Sequence, residues 1–449
     1  MGKRSKKVAG CHPLGNGKSH SGCLKCGRQF APARLPLAPF LLHREWHAGM
    51  TPPENMRKFF YTGLAGLAVF EVLKVYFIMP FPGSQRIDSL EFAYLLHLAR
   101  WYVRIGCLLA IAVGFRAAWT HRPRWRPVVA SLLTAGVVWF FNYQMMADHM
   151  FLPPRQLVFK ARADNVVDEN SVVVGVDYLG EARAYPIRYL VYHHQVPDTV
   201  GGRPVLVTYC SVCRTGRVFL PTVDGRHEKF RLVGMDHFNA MFEDATTGSW
   251  WRQATGEAVT GPRRGLVLPE AASRQLTLRQ WFALHPGSLV MQPDGTAGDN
   301  YDAEGKFERG LSKGDLTRTD TRSWQDKSWV VGVQAGAVAK AYDWNRLKAE
   351  RVINDRVGDR LIVLVLATDQ QSFAVFERHA EGEQFTIKDD VIMAEGRAYD
   401  LAGNSLTESG RRLQPLQANQ EFWHSWRTFH PGTRRDAWPA SGELGPGTD

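Results

Sequence analysis

The chain has 449 residues, 45% of them hydrophobic, and a formal net charge of +11. Its length and composition predict a folded protein of about two or three domains. Residues 1–58 carry 11 Lys and Arg against 2 Asp and Glu, whereas residues 151–449 carry 36 against 38. Because nucleic-acid-binding proteins concentrate basic charge on the binding domain, this distribution argues against a nucleic-acid partner.

The N-terminal tail, residues 1–55, is basic and rich in Pro and Gly, which predicts disorder. Zinc binding is the alternative interpretation, because two of its cysteines have the spacing of zinc ligands and further Cys and His residues are near them. These residues are Cys11, His12, His20, Cys23 and Cys26.

Residues 56–150 are predicted to form a membrane domain with three α-helical spans. The apolar segments 59–79 and 130–146, the latter with a short apolar lead-in, are long enough to cross a bilayer. The segment between them, 92–115, is apolar as well, but it contains two arginines. A hydrophobic surface helix is therefore the alternative for this middle segment.

The charges around these segments predict the topology. The loop 116–127 has four Arg residues and no acidic residue, and the positive-inside rule places such a loop in the cytoplasm. An odd number of spans then puts residues 151–449 on the extracytoplasmic side. Glu71 lies within the first span, where a lone charge is costly, and we expect it to form an intramembrane ion pair with Arg104.

Residues 151–449 contain an internal repeat, which predicts two similar halves, 151–310 and 311–449. Each copy alternates short strands with glycine-containing turns, so the predicted fold is a β-rich α+β domain. The matching blocks are 172–186 with 329–343, 197–207 with 354–364, and 281–287 with 426–432.

The two halves differ in their reactive side chains. Cys210 aligns with Ala367, and Cys213 aligns with Gln370. Since only the first copy keeps the thiols, we expect the functional site in the first half and a scaffolding role for the second half.

Cys210 and Cys213 follow a buried apolar strand, and their spacing fits three functions. The favoured one is a transition-metal site for zinc, copper or iron, with His193 and His194 as further ligands. The second is a thiol–disulfide redox pair, and the third is a structural disulfide in a non-catalytic binding module. No glycine-rich dinucleotide or phosphate-binding motif occurs, so no nucleotide cofactor is predicted.

A second polar cluster lies between residues 234 and 253. Its acidic and imidazole groups suit acid–base chemistry, and its tryptophans suit the lining of a pocket. The alternative is that the tryptophans form core and the aspartates form turns. The candidates are Asp236, His237, Glu243, Trp250, Trp251 and Arg252.

The stretches GEARAYPIRYL, DTVGGRPVLVTYCSVCRTGRVF and TGSWWRQATGEAVTGP occur in this order and resemble the bacterial domain-of-unknown-function 3179 family over most of residues 160–435. The resemblance implies a fold and a motif set but no established reaction, so it does not decide whether the chain is an enzyme. Because the family is bacterial, the membrane predicted from the apolar segments is expected to be the inner membrane, and the extracytoplasmic side predicted from the charges is then the periplasm. The membrane is the one predicted partner.

The chain departs from the family pattern near the cysteines. Ser211 and Arg214 stand where the family has Pro and Gly, which weakens the resemblance to a metal-binding turn. A family histidine falls on His193, and His194 stands where an acidic residue is expected.

Overall fold

The structure is a computed structural model that describes residues 54–295 and 297–437. The predicted tail of residues 1–55, with its Cys and His residues, lies outside the described residues except for its last two positions. The described chain consists of an N-terminal helical region followed by a β-rich α+β region of several sheets.

The helical region contains two helices that are long and apolar enough to cross a membrane, over Asn55–Tyr76 and Leu90–Thr120. The third predicted span begins as a 15-residue α-helix, which alone is shorter than a bilayer-spanning helix, and continues as the π-helix Phe140–Gln144. The α-helices of this region are α1 (Glu54–Tyr76), α2 (Leu90–Thr120), α3 (Trp125–Trp139) and α4 (Ala147–Met150).

A cluster of charged and amide groups joins α1, α2 and the π-helix. The Glu71 carboxylate lies 2.6 Å from Arg104 Nε and 3.0 Å from Lys74 Nζ. Asn142 Nδ2 donates to Glu71 at 2.9 Å, and Asn142 Oδ1 accepts from Arg104 at 2.8 Å and from Lys74 at 2.6 Å. Glu71 thus has three partners inside an apolar bundle, where an unpaired carboxylate would be costly.

The first half of the β-rich region contains sheets of five, four and three strands and a short two-stranded hairpin. Its elements are β1 (Phe159–Lys160), β2 (Val172–Tyr178), β3 (Glu181–Pro186), α5 (Ile187–His193), β4 (Gln195–Val200), β5 (Arg203–Cys210), β6 (Thr215–Phe219), β7 (Thr222–Val223), β8 (Arg226–His227), β9 (Phe230–Asp236), β10 (Asn239–Asp244), β11 (Trp250–Arg252), β12 (Ala258–Thr260), β13 (Arg274–Thr277), α6 (Leu278–Leu284) and β14 (Leu289–Met291). The strand orders are β1-β14-β3-β2-β13, β12-β11-β10-β9, β4-β5-β6 and β7-β8.

The second half contains one sheet of four strands and two sheets of three. Its elements are β15 (Trp329–Ala335), β16 (Val338–Asp343), α7 (Trp344–Glu350), β17 (Val352–Val357), β18 (Arg360–Leu366), β19 (Phe373–Glu377), β20 (Phe385–Lys388), β21 (Val391–Ala394), β22 (Arg397–Tyr399), β23 (Ala418–Phe422), α8 (Trp423–Phe429) and β24 (Arg434–Arg435). The strand orders are β23-β15-β16-β24, β17-β18-β19 and β20-β21-β22.

The order of elements in the first half recurs in the second. β2 begins at residue 172 and β15 at residue 329, an offset of 157 that the next four elements share. The sheet order β13-β2-β3-β14 recurs as β23-β15-β16-β24. A close contact recurs as well, because a Cβ at Gly175 would lie 2.3 Å from the Trp281 ring and a Cβ at Gly332 would lie 2.1 Å from the Trp426 ring. Only glycine leaves room for the indole at these two strand positions.

One apolar cluster joins the helical region to the first half. Val75 in the last turn of α1 and Ile78 just after the helix belong to the same buried cluster as Met241 of β10 and the two cysteines of the CxxC turn, Cys210 and Cys213. The main chain adds a direct link, since the backbone N–H of Met235 in β9 donates to the carbonyl oxygen of Ile78 at 2.7 Å. The two cysteines therefore belong to the buried apolar cluster through which the β-rich region packs against α1.

Candidate functional site

Cys210 and Cys213, together called the dithiol below, lie on the turn between β5 and β6. Cys210 is the last residue of β5 and pairs with Thr215, the first residue of β6. Both cysteines are fully buried, and both are free thiols. The paired strands therefore hold two thiols at one end of a hairpin, inside the protein.

The two sulfur atoms share one acceptor. The carbonyl oxygen of Phe238 lies 3.5 Å from Cys210 Sγ and 3.3 Å from Cys213 Sγ. Cys210 Sγ also accepts hydrogen bonds from the thiol of Cys213 and from the backbone N–H groups of Val212, Cys213 and Ala240. Four donors around one sulfur form a cradle that favours a negative charge there.

The two thiols differ in acidity for this reason. Burial alone would raise the pKa of Cys210, but the hydrogen bonds from the Cys213 thiol and the backbone N–H groups outweigh it, so the pKa of Cys210 is lowered. Burial and the hydrogen bond to Cys210 raise the pKa of Cys213 well above its usual value. The environment therefore favours a thiolate at Cys210 beside a protonated Cys213.

A buried lysine adds positive charge beside the dithiol. Lys327 Nζ donates to the carbonyl oxygens of Val212 and Leu316, both at 2.7 Å, and lies 3.3 Å from His424 Nε2. Burial lowers the pKa of Lys327, while the charge interaction with both cysteines opposes that change. Burial, followed by the lysine charge, lowers the pKa of His424 to about 4. The cation near the sulfurs is thus the ammonium group, and the imidazole is neutral.

The second half supplies further polar groups near the dithiol. Burial raises the pKa of Cys213 and the Ser425 hydroxyl opposes that change, while the same hydroxyl donates to Glu421 Oε2 at 2.6 Å. The same carboxylate accepts from Thr215 Oγ1 at 3.2 Å across a separation of 206 residues. The sequence analysis did not identify Glu421, Ser425 or Lys327, because the second half lacks the cysteines and no local motif marks these residues.

The turn that covers the dithiol has an unfavourable backbone conformation. His237 and Phe238 connect β9 to β10, with Asp236 paired to Asn239, and their φ angles are 49° and 68°. Such a turn favours Asn or Gly, and each non-glycine residue in this region costs roughly 1–2 kcal/mol. The dithiol holds the Phe238 carbonyl, and Gln85 Oε1 of the α1–α2 loop accepts from the Phe238 N–H at 3.1 Å.

Three of the six predicted pocket residues meet at this turn. His237 Nδ1 lies 2.7 Å from Asp236 Oδ1, and Arg252 donates to Asp236 Oδ2 at 2.6 Å and 2.9 Å. The hydrogen bond to Asp236 raises the pKa of His237, with burial opposing it. Burial alone would raise the pKa of Asp236, but His237 and Arg252 lower it. The structure therefore brings an Asp–His–Arg cluster together at the turn whose Phe238 carbonyl contacts both sulfurs.

The other three predicted pocket residues lie elsewhere. Trp250 Nε1 donates to Glu243 at 2.9 Å, and His97 of α2 lies 3.2 Å from the same carboxylate. Trp251 is fully buried and donates to Asp244 at 2.9 Å. These residues join the β9–β12 sheet to α2 and fill its core, and a pocket lined by all six candidates stays a prediction.

The two predicted histidine ligands contact other groups. His193 Nδ1 lies 2.6 Å from the carbonyl oxygen of Leu152, and Nε2 lies 2.7 Å from Tyr301 Oη. The His194 ring stacks on Phe151 with ring centres 4.5 Å apart, and burial lowers its pKa to about 4. Both imidazoles serve the packing between α5 and its neighbours in this structure.

A metal site would need more ligands than the dithiol supplies here. Within residues 54–295 and 297–437, no group of three or more His, Cys, Asp and Glu side chains is arranged to hold a metal ion. A structural zinc ion takes four ligands, and a catalytic one takes three from the protein. The donor set at the dithiol does not fit such an ion in this arrangement, and metal binding stays a prediction.

We predict that the stability of the fold depends on the protonation of His237. Its folded pKa is raised by Asp236, so the stabilisation is fully present below the unfolded value of about 6.5 and is lost as pH rises through the folded pKa. Denaturant unfolding of the detergent-solubilised protein across this pH range measures the effect. His237→Gln should remove it, and an Asp236→Asn variant with an unchanged imidazole pKa by NMR would contradict the account.

The comparisons with known proteins agree with the motifs around the dithiol. Residues 155–433, more than half of the chain, match the model of a protein family described as "Protein of unknown function (DUF3179)". Neither the curated proteins nor the solved structures gave a match. The match includes both cysteines, the Asp–His–Arg cluster and the second-half residues that contact them, and the chain therefore belongs to the DUF3179 family.

Proposed function

We propose that this chain is a membrane-anchored thiol–disulfide redox protein whose reactive group is the Cys210–Cys213 dithiol. The observation that carries the proposal is the unequal environment of the two sulfurs. Cys210 Sγ has four hydrogen-bond donors and its pKa is lowered, whereas the pKa of Cys213 is raised. Thiol–disulfide exchange needs two sulfurs with different reactivity. One attacks the substrate as a thiolate, and the other then attacks the resulting mixed disulfide and resolves it.

The proposed reaction consumes a disulfide and releases two thiols. The Cys210 thiolate attacks one sulfur of the substrate disulfide, which forms a mixed disulfide and expels the first substrate thiolate. Cys213 then loses its proton and attacks Cys210 Sγ, which closes the protein disulfide and expels the second substrate thiolate. The dithiol is oxidised by two electrons, and the substrate is reduced by two.

The main alternative is a structural disulfide, and burial of both sulfurs is consistent with it. Two observations favour the redox function. A CxxC ring is short, so closing it contributes little loop-closure stabilisation. The turn of His237 and Phe238 is strained and its Phe238 carbonyl contacts both sulfurs, so we propose local opening of this turn as the route of access.

We also propose that three helices anchor the protein. α3 and the following π-helix together cover residues 125–144, about 30 Å of helix at 1.5 Å per residue, which matches a bilayer core. Large apolar side chains of α2 are exposed, among them Leu108 and Leu109 at 56% and 62%, as lipid contact requires. The arginine-rich loop 116–127 supports a cytoplasmic position for that loop and an extracytoplasmic, periplasmic position for the dithiol.

We predict that Cys213→Ser forms a stable mixed disulfide at Cys210 when the protein is exposed to oxidised glutathione, because the resolving thiol is absent. Cys210→Ser should react at Cys213 at least about tenfold more slowly, since that thiol keeps its proton. Mass spectrometry of peptides assigns the adduct to its residue. Cys107→Ser serves as the matched control and should leave the reaction unchanged. Equal reactivity of the two single variants would contradict the proposal.

The same purified samples also test the metal prediction. Stoichiometric zinc, copper or iron in the reduced protein, lost in Cys210→Ser, would favour a metal site over a redox pair. Metal content equal in the protein and in this variant would count against the metal site.

We predict that an alkaline phosphatase fused after Pro154 is active in a bacterial host, because this enzyme requires the oxidising periplasm. A fusion at His121, within the arginine-rich loop, should be inactive. Enzyme activity normalised to the amount of fusion protein is the measurement. The reverse pattern would place the dithiol in the cytoplasm and remove the oxidising environment assumed for it.

A further inference from the structure

We propose that the second half binds a sugar that carries a carboxylate, in a cavity beside the β18–β19 turn. This sugar site is separate from the redox chemistry proposed above. The cavity has a volume of about 410 Å³, within the range of small-molecule sites, about 300–1,000 Å³. It lies between α7, the β18–β19 turn and the segment that leads into β15, and it is called the second-half cavity below.

Two indole rings give the second-half cavity its apolar surface. Trp329 of β15 and Trp344 of α7 both line it, with ring centres 5.9 Å apart and planes inclined at 58°. The Arg214 guanidinium lies over the Trp329 ring at 3.6 Å, and Phe373 packs edge-on against Trp344. The two rings are therefore held in place by the protein, and aromatic surfaces of this kind pack against the C–H groups of a sugar ring.

Polar groups of the same cavity lack hydrogen-bond partners within the described residues. The Oε1 atom of Gln371 is buried and has none. The indole N–H of Trp344 has no acceptor among these residues, whereas five other indoles donate to the protein: Trp250, Trp251, Trp281, Trp329 and Trp426. A buried polar atom without a partner is costly. Sugar hydroxyl groups both donate and accept, so they can satisfy the amide oxygen and the indole N–H together.

The charges at the second-half cavity favour an anionic ligand. Each of its three carboxylates already accepts a hydrogen bond from the protein: Glu308, Asp320 and Asp369. Lys348 of α7 is exposed and forms no ion pair within the described part of the chain, whereas Arg346 of the same helix pairs with Glu350 and Asp436. An ammonium group without a protein partner suits the carboxylate of a ligand, because hydrogen bonds between charged groups are strong.

The comparison of the two halves supports the site independently. Ile187, the first-half equivalent of Trp344, is buried in the core of the first half. Arg214, the equivalent of Gln371, donates to three protein acceptors. The fold is therefore built without the indoles, the ammonium group and the unpaired amide. The cavity residues with their first-half equivalents are Trp329 and Val172, Trp344 and Ile187, Lys348 and Val191, and Gln371 and Arg214.

Saturation-transfer NMR titrations of the full-length protein in detergent test the sugar site. The acidic sugars are glucuronate, galacturonate and N-acetylmuramate. Methyl glucoside is the neutral sugar, and cyclohexanecarboxylate is a carboxylate without hydroxyl groups. We expect at least one acidic sugar to bind about tenfold more tightly than either of the other two probes, because each of these lacks either the charged hydrogen bond or the hydroxyl groups.

Two variants place first-half residues at positions of the second-half cavity. Trp344→Ile removes one indole and should weaken binding of the acidic sugar about tenfold. Lys348→Val removes the ammonium group at an exposed position, where the fold is not at risk, and should weaken it by about the same factor. Lys229→Gln changes an exposed lysine of the first half and is the matched control, which should bind as the parent protein does.

The outcomes separate the sugar site from the proposed function. An unchanged affinity in either cavity variant, or no binding of any acidic sugar, would overturn the site. Cyclohexanecarboxylate bound as tightly as the sugars would overturn the assignment to a sugar, and methyl glucoside bound as tightly would overturn the requirement for a carboxylate. Each of these results leaves the redox function standing. Cys210→Ser abolishes the proposed redox reaction and should leave sugar binding unchanged.

Discussion

The burial of two thiols side by side is the constraint on which the rest of the site depends. Removal from water opposes charge on either sulfur, and two neighbouring thiolates would repel each other, so at most one ionises at a time. The hydrogen-bond donors around Cys210 decide which one. Both sulfurs contact the Phe238 carbonyl. A change in the protonation or oxidation of the cysteines therefore acts on the strained turn of His237 and Phe238. Closing the disulfide leaves that carbonyl without a thiol donor, so oxidation favours movement of the turn.

The duplicated order of elements explains why the site draws on both halves. β23 and α8 of the second half pack against the CxxC turn, with the Phe422 N–H donating to the Cys213 carbonyl at 2.9 Å. In the reciprocal contact, the N–H of Thr277 in β13 donates to Ser372 Oγ at 2.8 Å. In each case the end of a strand in one half hydrogen-bonds to a hairpin turn in the other half. Only the β5–β6 turn, in the first half, contains cysteines. The second half, expected from the sequence to be a scaffold, contacts the residues beside the dithiol, with Lys327 donating to the Val212 carbonyl and Glu421 accepting from Thr215.

Local patterns in the sequence predict the elements well and the site in part. Strand–turn–strand alternation and the matching blocks correspond to β2 to β6 and β15 to β19, because these depend on short-range periodicity. The position of the cysteines at the end of β5 follows from the same pattern. The sequence predicts His193 as a metal ligand beside the cysteines, yet this residue ends α5 and its Nε2 lies 2.7 Å from Tyr301 Oη. Sequence distance does not determine where a helix end points, and contacts across about 200 residues leave no local signal.

The reduction potential of the dithiol tests the central claim most directly. The protein is equilibrated in detergent with glutathione buffers of graded ratio, and the Cys210–Cys213 disulfide is quantified by mass spectrometry after thiol alkylation. A working redox pair should have a potential above about −300 mV, since structural disulfides lie below that value. The short ring and the cradle that stabilises the Cys210 thiolate both favour the reduced form and so raise the potential. A potential well below −300 mV, or no disulfide at any ratio, would contradict the account.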